Sequence, residues 1–223
     1  MIVIGHRGCA GLEPENTLRG FKKAIEIGVD AIELDVRLTK DKNIVVIHDE
    51  TLDRTTNLHG KVCDYYYKDI NIPLLAEVFD LVKTTNVKVH IELKEKDTVE
   101  LVIDLIKKYD FVKRVKIISF WHNEILKVKK IHKDIKTGLL ITHYPAFPKN
   151  LLFETNSDSL CIVYDKVDSN LVNEVHSLNK EITVWGKINT VEIIDRMIEL
   201  NVDGIGSDYP NLVIERLKVF GKR

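Results

Sequence analysis

Short runs of β-branched and apolar residues recur along this chain, and most are separated by segments whose apolar residues repeat with helical spacing. That alternation leaves few folds open, because parallel strands joined by helices must form one sheet that the helices cover. Strands are expected near Ile2–Gly5, Ala31–Val36, Val89–Lys94, Val115–Phe120, Gly138–Thr142, Leu160–Tyr164, Ile182–Trp185 and Gly204–Ser207. Helices are expected over Asn16–Ile27, Leu74–Thr84, Thr98–Tyr109, Asn123–Ile131, Asn170–Leu178 and Val191–Leu200, with a last one from Leu212. Between about Pro145 and Asp158 the helical period is weak, and no helix is assigned there. Strand and helix units repeated in this number close on themselves as a TIM-like (β/α)8 barrel, an α/β fold. At 223 residues the chain can build one sizeable core and is short for two, so residues 1–223 are read as a single domain.

One run breaks the rhythm. Asn43–Ile47 has the composition of a strand but follows strand 2 too closely for the dozen or so residues that a parallel crossover needs. It is read as the second arm of a β-hairpin turning at Lys40–Asn43, which pairs Thr39 with Ile44 and sets His48 opposite Asp35. From Asp49 to Ile72 follows a polar, tyrosine-bearing stretch, read as a short insertion (about 49–72) that ends where Pro73 opens the next helix.

The charge pattern excludes several classes of partner. Thirty-three Lys and Arg against 34 Asp and Glu leave a net charge of −1, with no long block of one sign, so nucleic acid is not an expected partner. Three widely spaced cysteines, Cys9, Cys63 and Cys161, lack a paired metal-binding spacing and read as reduced thiols of a cytoplasmic protein. Met1 leads directly into the first strand with no signal-peptide pattern, and no apolar run approaches the roughly 18 residues of a membrane span. The sequence carries no indication of oligomeric state.

Alternate residues of a strand share a face, so Glu33 and Asp35 point together, as do Glu92 and Lys94. All four fall at C-terminal strand ends, where barrel active sites gather. Three carboxylates facing one cavity repel unless they are protonated or bridged, and a divalent cation resolves the conflict. Oxygen ligands favour Mg²⁺, Ca²⁺ or Mn²⁺ over zinc. The alternative is structural ion pairing with Lys94 or Arg37. His6-Arg7-Gly8 closes strand 1, which suits a proton-transfer group beside an anion clamp, and His48-Asp49 closes the hairpin at the same face. Two histidines flanking a phosphoryl group could divide general-acid and general-base work.

These residues stand inside ordered motifs. His6-Arg7-Gly8 followed by Pro14-Glu15-Asn16-Thr17, Phe21 and Ala24 resembles the opening signature of the glycerophosphodiester phosphodiesterases. Glu33-Leu34-Asp35-Val36, Val45-Val46-Ile47-His48-Asp49 and Thr51-Leu52-Asp53-Arg54-Thr55-Thr56-Asn57 are similar to the next block of that family. Ile91-Glu92-Leu93-Lys94, Ser119-Phe120, Val184-Trp185 and Gly204-Ile205-Gly206-Ser207-Asp208-Tyr209-Pro210 continue the resemblance nearly end to end. The resemblance implies that Glu33, Asp35 and Glu92 hold a divalent cation, that His6 and His48 form the acid–base pair, and that Arg7 and Lys94 bind the substrate phosphate. It implies hydrolysis of a small-molecule glycerophosphodiester to glycerol 3-phosphate and an alcohol, and leaves open which histidine is the acid. The insertion is shorter than bacterial relatives usually carry, so a lysophospholipase D-like activity on lysolipids is a second expectation. A non-catalytic phosphate-binding barrel is a third.

Phe120 and Trp185, with Trp121 beside them, are candidates for an apolar pocket wall. His59, His122, His132, His143 and His176 show no partner in the sequence and are read as surface residues, Lys127, Lys129 and Lys130 as one solvated helix face, and Lys187 as a solvated lysine. Cys9 is read as a small filler near His6.

Overall fold

The computed structural model describes residues 1–223. Strands β1 (Ile2–Gly5), β2 (Ala31–Leu38), β3 (Ile44–Val46), β4 (Lys88–Leu93), β5 (Val115–Ser119), β6 (Lys136–Ile141), β7 (Ser159–Val163), β8 (Glu181–Trp185) and β9 (Gly204–Ser207) form one sheet. All but β3 are parallel, and the sheet closes where β1 pairs with both β2 and β9, giving an eight-stranded TIM barrel. Helices α1 (Leu18–Ile27), α2 (Leu75–Val82), α3 (Val99–Lys108), α4 (His122–Ile131), α5 (Pro148–Thr155), α6 (Ser169–His176), α7 (Val191–Glu199) and α8 (Pro210–Val219) connect and cover the strands. No helix is long and apolar enough to cross a membrane.

The helix ends carry local signals. Thr17 accepts the Gly20 N–H at the start of α1, Asp168 and Thr190 cap α6 and α7 in the same way, and Gly28 closes α1 in the left-handed region at φ 92°. The main core lies between strands and helices, with Val3, Leu34, Val36, Ile91 and Ile117 packed against Phe21, Phe79, Ile103 and Ile125. Because strand side chains alternate, every core residue on the outer face leaves its neighbour pointing into the barrel, which is where the polar residues of β2 and β4 go. The inserted stretch has its own small core of Val45, Ile47, Leu52, Val62, Ile70 and Ile72.

Two expectations are corrected. The segment from Pro145 to Asp158 does contain a helix, α5, opened by Pro148 in its first turn and stopped by Asn156 in the left-handed region. Its apolar run Leu151-Leu152-Phe153 is consecutive rather than helically spaced, which hides the period. The hairpin is also one residue tighter than expected: Thr39 N–H bonds Asn43 O, so Leu38, not Thr39, pairs with Ile44. The Thr39 hydroxyl accepts the Asn43 N–H and bonds Asp41, and Lys42 takes φ 62°, which closes the turn early. Ile47, whose N–H donates to Asp35 O, therefore stands opposite Asp35, and His48 lies one position beyond.

Candidate active site

The first turn after β1 sets the geometry. Arg7 and Gly8 are both left-handed, at φ 48° and 92°, and a Cβ on Gly8 would sit 2.9 Å from the Gly20 backbone. Only glycine fits there, and the strained arginine before it is held by its surroundings. The turn aims the Arg7 N–H at Glu33 Oε2, 2.9 Å away, and sends the guanidinium toward β2. Asn16, also left-handed at φ 55°, donates its side-chain amide to Asp35 Oδ2 at 2.8 Å.

Glu33, Asp35 and Glu92 converge inside the barrel mouth. Asp35 and Glu92 are register partners on adjacent strands, all three residues are buried, and one carboxylate oxygen from each lies within 4.8 Å of the others. Burial, reinforced by the charge of Asp35, pushes Glu33 up to about 7 and Glu92 up to about 8. Lys94 Nζ is 2.7 Å from Glu92 Oε1 and 3.6 Å from Asp35 Oδ1, while Arg7 Nε is 3.5 Å from Asp35 Oδ2. The two Asp35 contacts attract but lack hydrogen-bond geometry, leaving Asp35 Oδ1 and Arg7 Nε without partners although both are buried. Arg37 does not neutralise the cluster; it bonds His48 O and Glu95. An orphaned carboxylate oxygen among three hard oxygen donors fits a divalent cation.

His6 and His48 line the same cavity as Glu33 and Glu92. Each has its Nδ1 tied to an aspartate, His6 to Asp208 at 2.6 Å and His48 to Asp49 at 2.7 Å, which leaves Nε2 as the nitrogen free to exchange a proton. Their surroundings differ. For His6 the downward pull of burial is outweighed by the Asp208 hydrogen bond and the Glu33 charge, so its pKa is raised. For His48 burial prevails over Asp49 and Asp35, so its pKa is lowered.

The opposite wall is apolar. Ile118, Leu140 and Cys161 pack inside the barrel, and Phe120 meets Trp185 edge-on with ring centroids 5.5 Å apart. Trp121 does not join this wall; Lys96 Nζ lies over its ring at 4.9 Å. Cys9 is buried with its thiol pushed up to about 11 by burial and then by Glu13, and its Sγ contacts Gly20 O, as befits a filler.

Several partners were not singled out from the sequence. Asp208 lies 202 positions from His6, and only closure of the barrel through β1 and β9 brings them together. Asp49 stood next to His48 and was read only as part of its motif, as were Glu15 and Asn16. His90 was legible by alternation, two residues before Glu92 on the same strand face; it lines the cavity floor, held neutral by burial and by Lys116 and Lys88. The other histidines are less idle than expected: His176 pairs with Asp203 at 2.8 Å, His59 with Asp53 at 2.9 Å, and His122 bonds Leu140 O. Lys129 is a further correction, since it is buried and bonds Asp158 rather than sharing a solvated face. Lys187 is exposed as expected.

A sequence profile of the Glycerophosphoryl diester phosphodiesterase family matches residues 6–212. The chain is 37% identical over 241 aligned residues to a glycerophosphodiester phosphodiesterase of Caldanaerobacter subterraneus subsp. tengcongensis, with 99% of each covered. The crystal structure of a glycerophosphodiester phosphodiesterase from Thermotoga maritima superposes with a TM-score of 0.85 at 30% identity, covering 96% of this chain and 97% of that one. An Oleispira antarctica phosphodiesterase, solved in complex with the product sn-glycerol-3-phosphate, superposes at 0.92 with 23% identity over 98% and 97% of the two chains, a likeness of fold. A profile match from His6 into the last helix, with 37% identity to a named enzyme over nearly the whole of both chains, places this chain in the glycerophosphoryl diester phosphodiesterase family, which hydrolyses glycerophosphodiesters.

Proposed function

We propose that residues 1–223 act as one barrel domain, with a short insertion at about 49–72, that hydrolyses glycerophosphodiesters to glycerol 3-phosphate and an alcohol in a cation-dependent reaction. The observation that carries this reading is the buried carboxylate triad with an unpartnered oxygen, set between two histidine–aspartate pairs. Glu33, Asp35 and Glu92 would hold Mg²⁺, Ca²⁺ or Mn²⁺, and a cation bound there polarises a phosphoryl oxygen and neutralises charge that builds on it. The sn-glycerol-3-phosphate bound by the Oleispira relative supports the assigned product.

The chain's own groups supply the rest. Arg7, whose Nε is buried without a partner, and Lys94 at the rim of the triad bind the substrate phosphate and stabilise charge on the phosphorane-like transition state. His48, lowered by burial, stays neutral near pH 7 and takes the proton of the attacking hydroxyl or water at Nε2. His6, raised by its aspartate, carries the proton that the departing alkoxide needs. Phe120 and Trp185 shield the apolar side from water.

A panel of phosphodiesters assayed with Mg²⁺, Ca²⁺ and Mn²⁺, and with excess chelator, tests the proposal. Turnover of glycerophosphocholine or glycerophosphoethanolamine that chelator abolishes is expected, with most activity lost in Glu33→Ala, Asp35→Ala and Glu92→Ala. Full activity in chelator would sink the cation dependence. Exclusive turnover of lysophosphatidylcholine would replace the substrate class, and binding without turnover under any ion would leave only a phosphate-binding barrel.

A further inference from the structure

Arg54 belongs to the inserted stretch and lines neither the triad nor the apolar wall, yet its head group meets both halves of the site. Its Nη1 and Nη2 reach Glu15 Oε2 and Oε1 at 2.6 and 2.8 Å, while its Nε and Nη2 reach Asp49 Oδ2 and Oδ1 at 2.6 and 3.1 Å. The same Glu15 Oε1 accepts from Arg7 Nη1 at 2.8 Å, and the same Asp49 Oδ1 holds His48 Nδ1 at 2.7 Å. One guanidinium thus shares an oxygen with the phosphate-facing arginine on one side and with a candidate acid–base histidine on the other.

We propose that Arg54 is a positioning residue that couples the insertion to the active site, fixing His48 through Asp49 and Arg7 through Glu15. This rests on the roles given to His48 and Arg7 above. Two neighbouring carboxylates with no cation between them repel and swing apart, and each would carry its active-site partner with it. A lysine is a poor substitute, because a point charge cannot grip two carboxylates in the fork geometry of a guanidinium. The backbone beneath Arg54 is well anchored: Leu52 is fully buried in the insertion's core, its N–H donates to Gly60 O, and Thr56 bonds back to Leu52 O through both N–H and hydroxyl. Arg54 itself is 47% exposed, so an isolated pair there would contribute little to stability. What the network supplies is orientation. Consistent with this, the Arg54 hydrogen bonds hold Glu15 down near 2 against the pull of burial, and they hold Asp49 low as well.

The test compares Arg54→Gln and Arg54→Lys with wild type in hydrolysis of glycerophosphocholine, using the ion that supports wild-type turnover, together with thermal melts and NMR of the His48 ring. Arg54→Gln is expected to lower kcat/KM roughly ten- to hundredfold, the range seen when a group that orients an active-site side chain is removed. Arg54→Lys should recover little, the melting midpoint should stay near wild type, and the His48 ring resonances should move. In a Glu15→Gln/Asp49→Asn background, Arg54→Gln should cost almost nothing further. Wild-type kcat/KM in Arg54→Gln, the same loss in the double background, or a melting shift large enough to account for the activity loss would each overturn the proposal. If wild type proves inert on every phosphodiester, the functional reading fails by itself; the brace then stands or falls on whether the His48 resonances respond to Arg54→Gln.

Discussion

At the scale of single residues, chemically similar side chains take different tasks in the proposed reaction. Each histidine has its own aspartate partner and each is pulled down by burial. At His6 the Asp208 hydrogen bond and the Glu33 charge outweigh that pull and at His48 burial prevails, so the two are displaced in opposite directions. That difference can be read with a substrate whose leaving group needs no proton. His6→Ala and His48→Ala should each lower kcat on glycerophosphocholine by roughly a hundredfold or more. On a p-nitrophenyl ester of glycerophosphate, His6→Ala should recover most of its activity and His48→Ala should not; the reverse pattern would exchange their roles. Arg7 has Nη1 committed to Glu15, so its grip on phosphate uses the remaining edge of the fork. Arg7→Lys keeps the charge but loses that edge, and kcat/KM should fall by about 1.5–3 kcal/mol, the range for charge-assisted hydrogen bonds. An unchanged kcat/KM in Arg7→Lys would remove Arg7 from the phosphate clamp.

At the scale of elements, a helix face that is polar in sequence need not be a solvated one. Lys127 reaches Glu100 at the surface, whereas the Lys129 side chain is 6% exposed and bonds Asp158 Oδ2 and Ile135 O, tying the end of α4 to the start of β6 and the turn before β7. Lys129→Ala removes the buried cation of this pair, while Asp158 keeps Lys136 at 3.2 Å and the Thr137 N–H at 2.8 Å. It should therefore destabilise the protein by about 1.5–3 kcal/mol in urea unfolding, the range for a hydrogen bond to a charged group. Lys127→Ala should melt like wild type. Equal effects would mean that Lys136, already 3.2 Å from Asp158 Oδ1, and the Thr137 N–H satisfy Asp158 without Lys129. The same lesson applies to α5 and the hairpin. Loop length suggested the hairpin and a weak helical period hid α5, and the Thr39 hydroxyl and the Asn156 left-handed stop decided where the two elements end.

For the whole molecule, the buried triad ties stability to pH and, on the proposed reading, to cations. Glu33 and Glu92 titrate higher in the folded state than the ordinary 4.5, so between that value and about 8 the folded protein holds protons that the unfolded chain has released. Stability contributed by this protonation is therefore lost as pH rises through the window. His48 and His90, both lowered, act in the opposite direction below about 6.5, the ordinary histidine value, whereas His6, raised above it, adds to the glutamates, so the fall of stability with pH is expected between pH 6.5 and 8.5. The cation-free protein should show a melting temperature that falls from pH 6.5 to 8.5, and Glu33→Gln with Glu92→Gln should flatten the slope. Mn²⁺ or Mg²⁺ should raise the midpoint more at pH 8.5 than at 6.5, because binding requires deprotonated ligands. A midpoint that climbs with pH in chelator would show that Lys94 and Arg7 already neutralise the triad.

The alternation of strand and helix patterns by itself determined the barrel, because residues two apart on a strand must share a face and parallel strands need helical crossovers. The same local rule aligned Glu33 with Asp35 and Glu92 with Lys94, and motif order brought His6, His48 and Arg7 into consideration. What tertiary structure alone decided were the contacts between residues far apart in the chain. Closure of β1 onto β9 put Asp208 on His6, packing of the insertion put Arg54 between Glu15 and Asp49, the Asp208 bond and the Glu33 charge set His6 apart from His48, and burial raised the two glutamates. Strand periodicity is written in neighbouring residues and so survives in a one-dimensional string. A hydrogen bond spanning 202 positions, or the removal of water from a carboxylate, exists only once the sheet has closed.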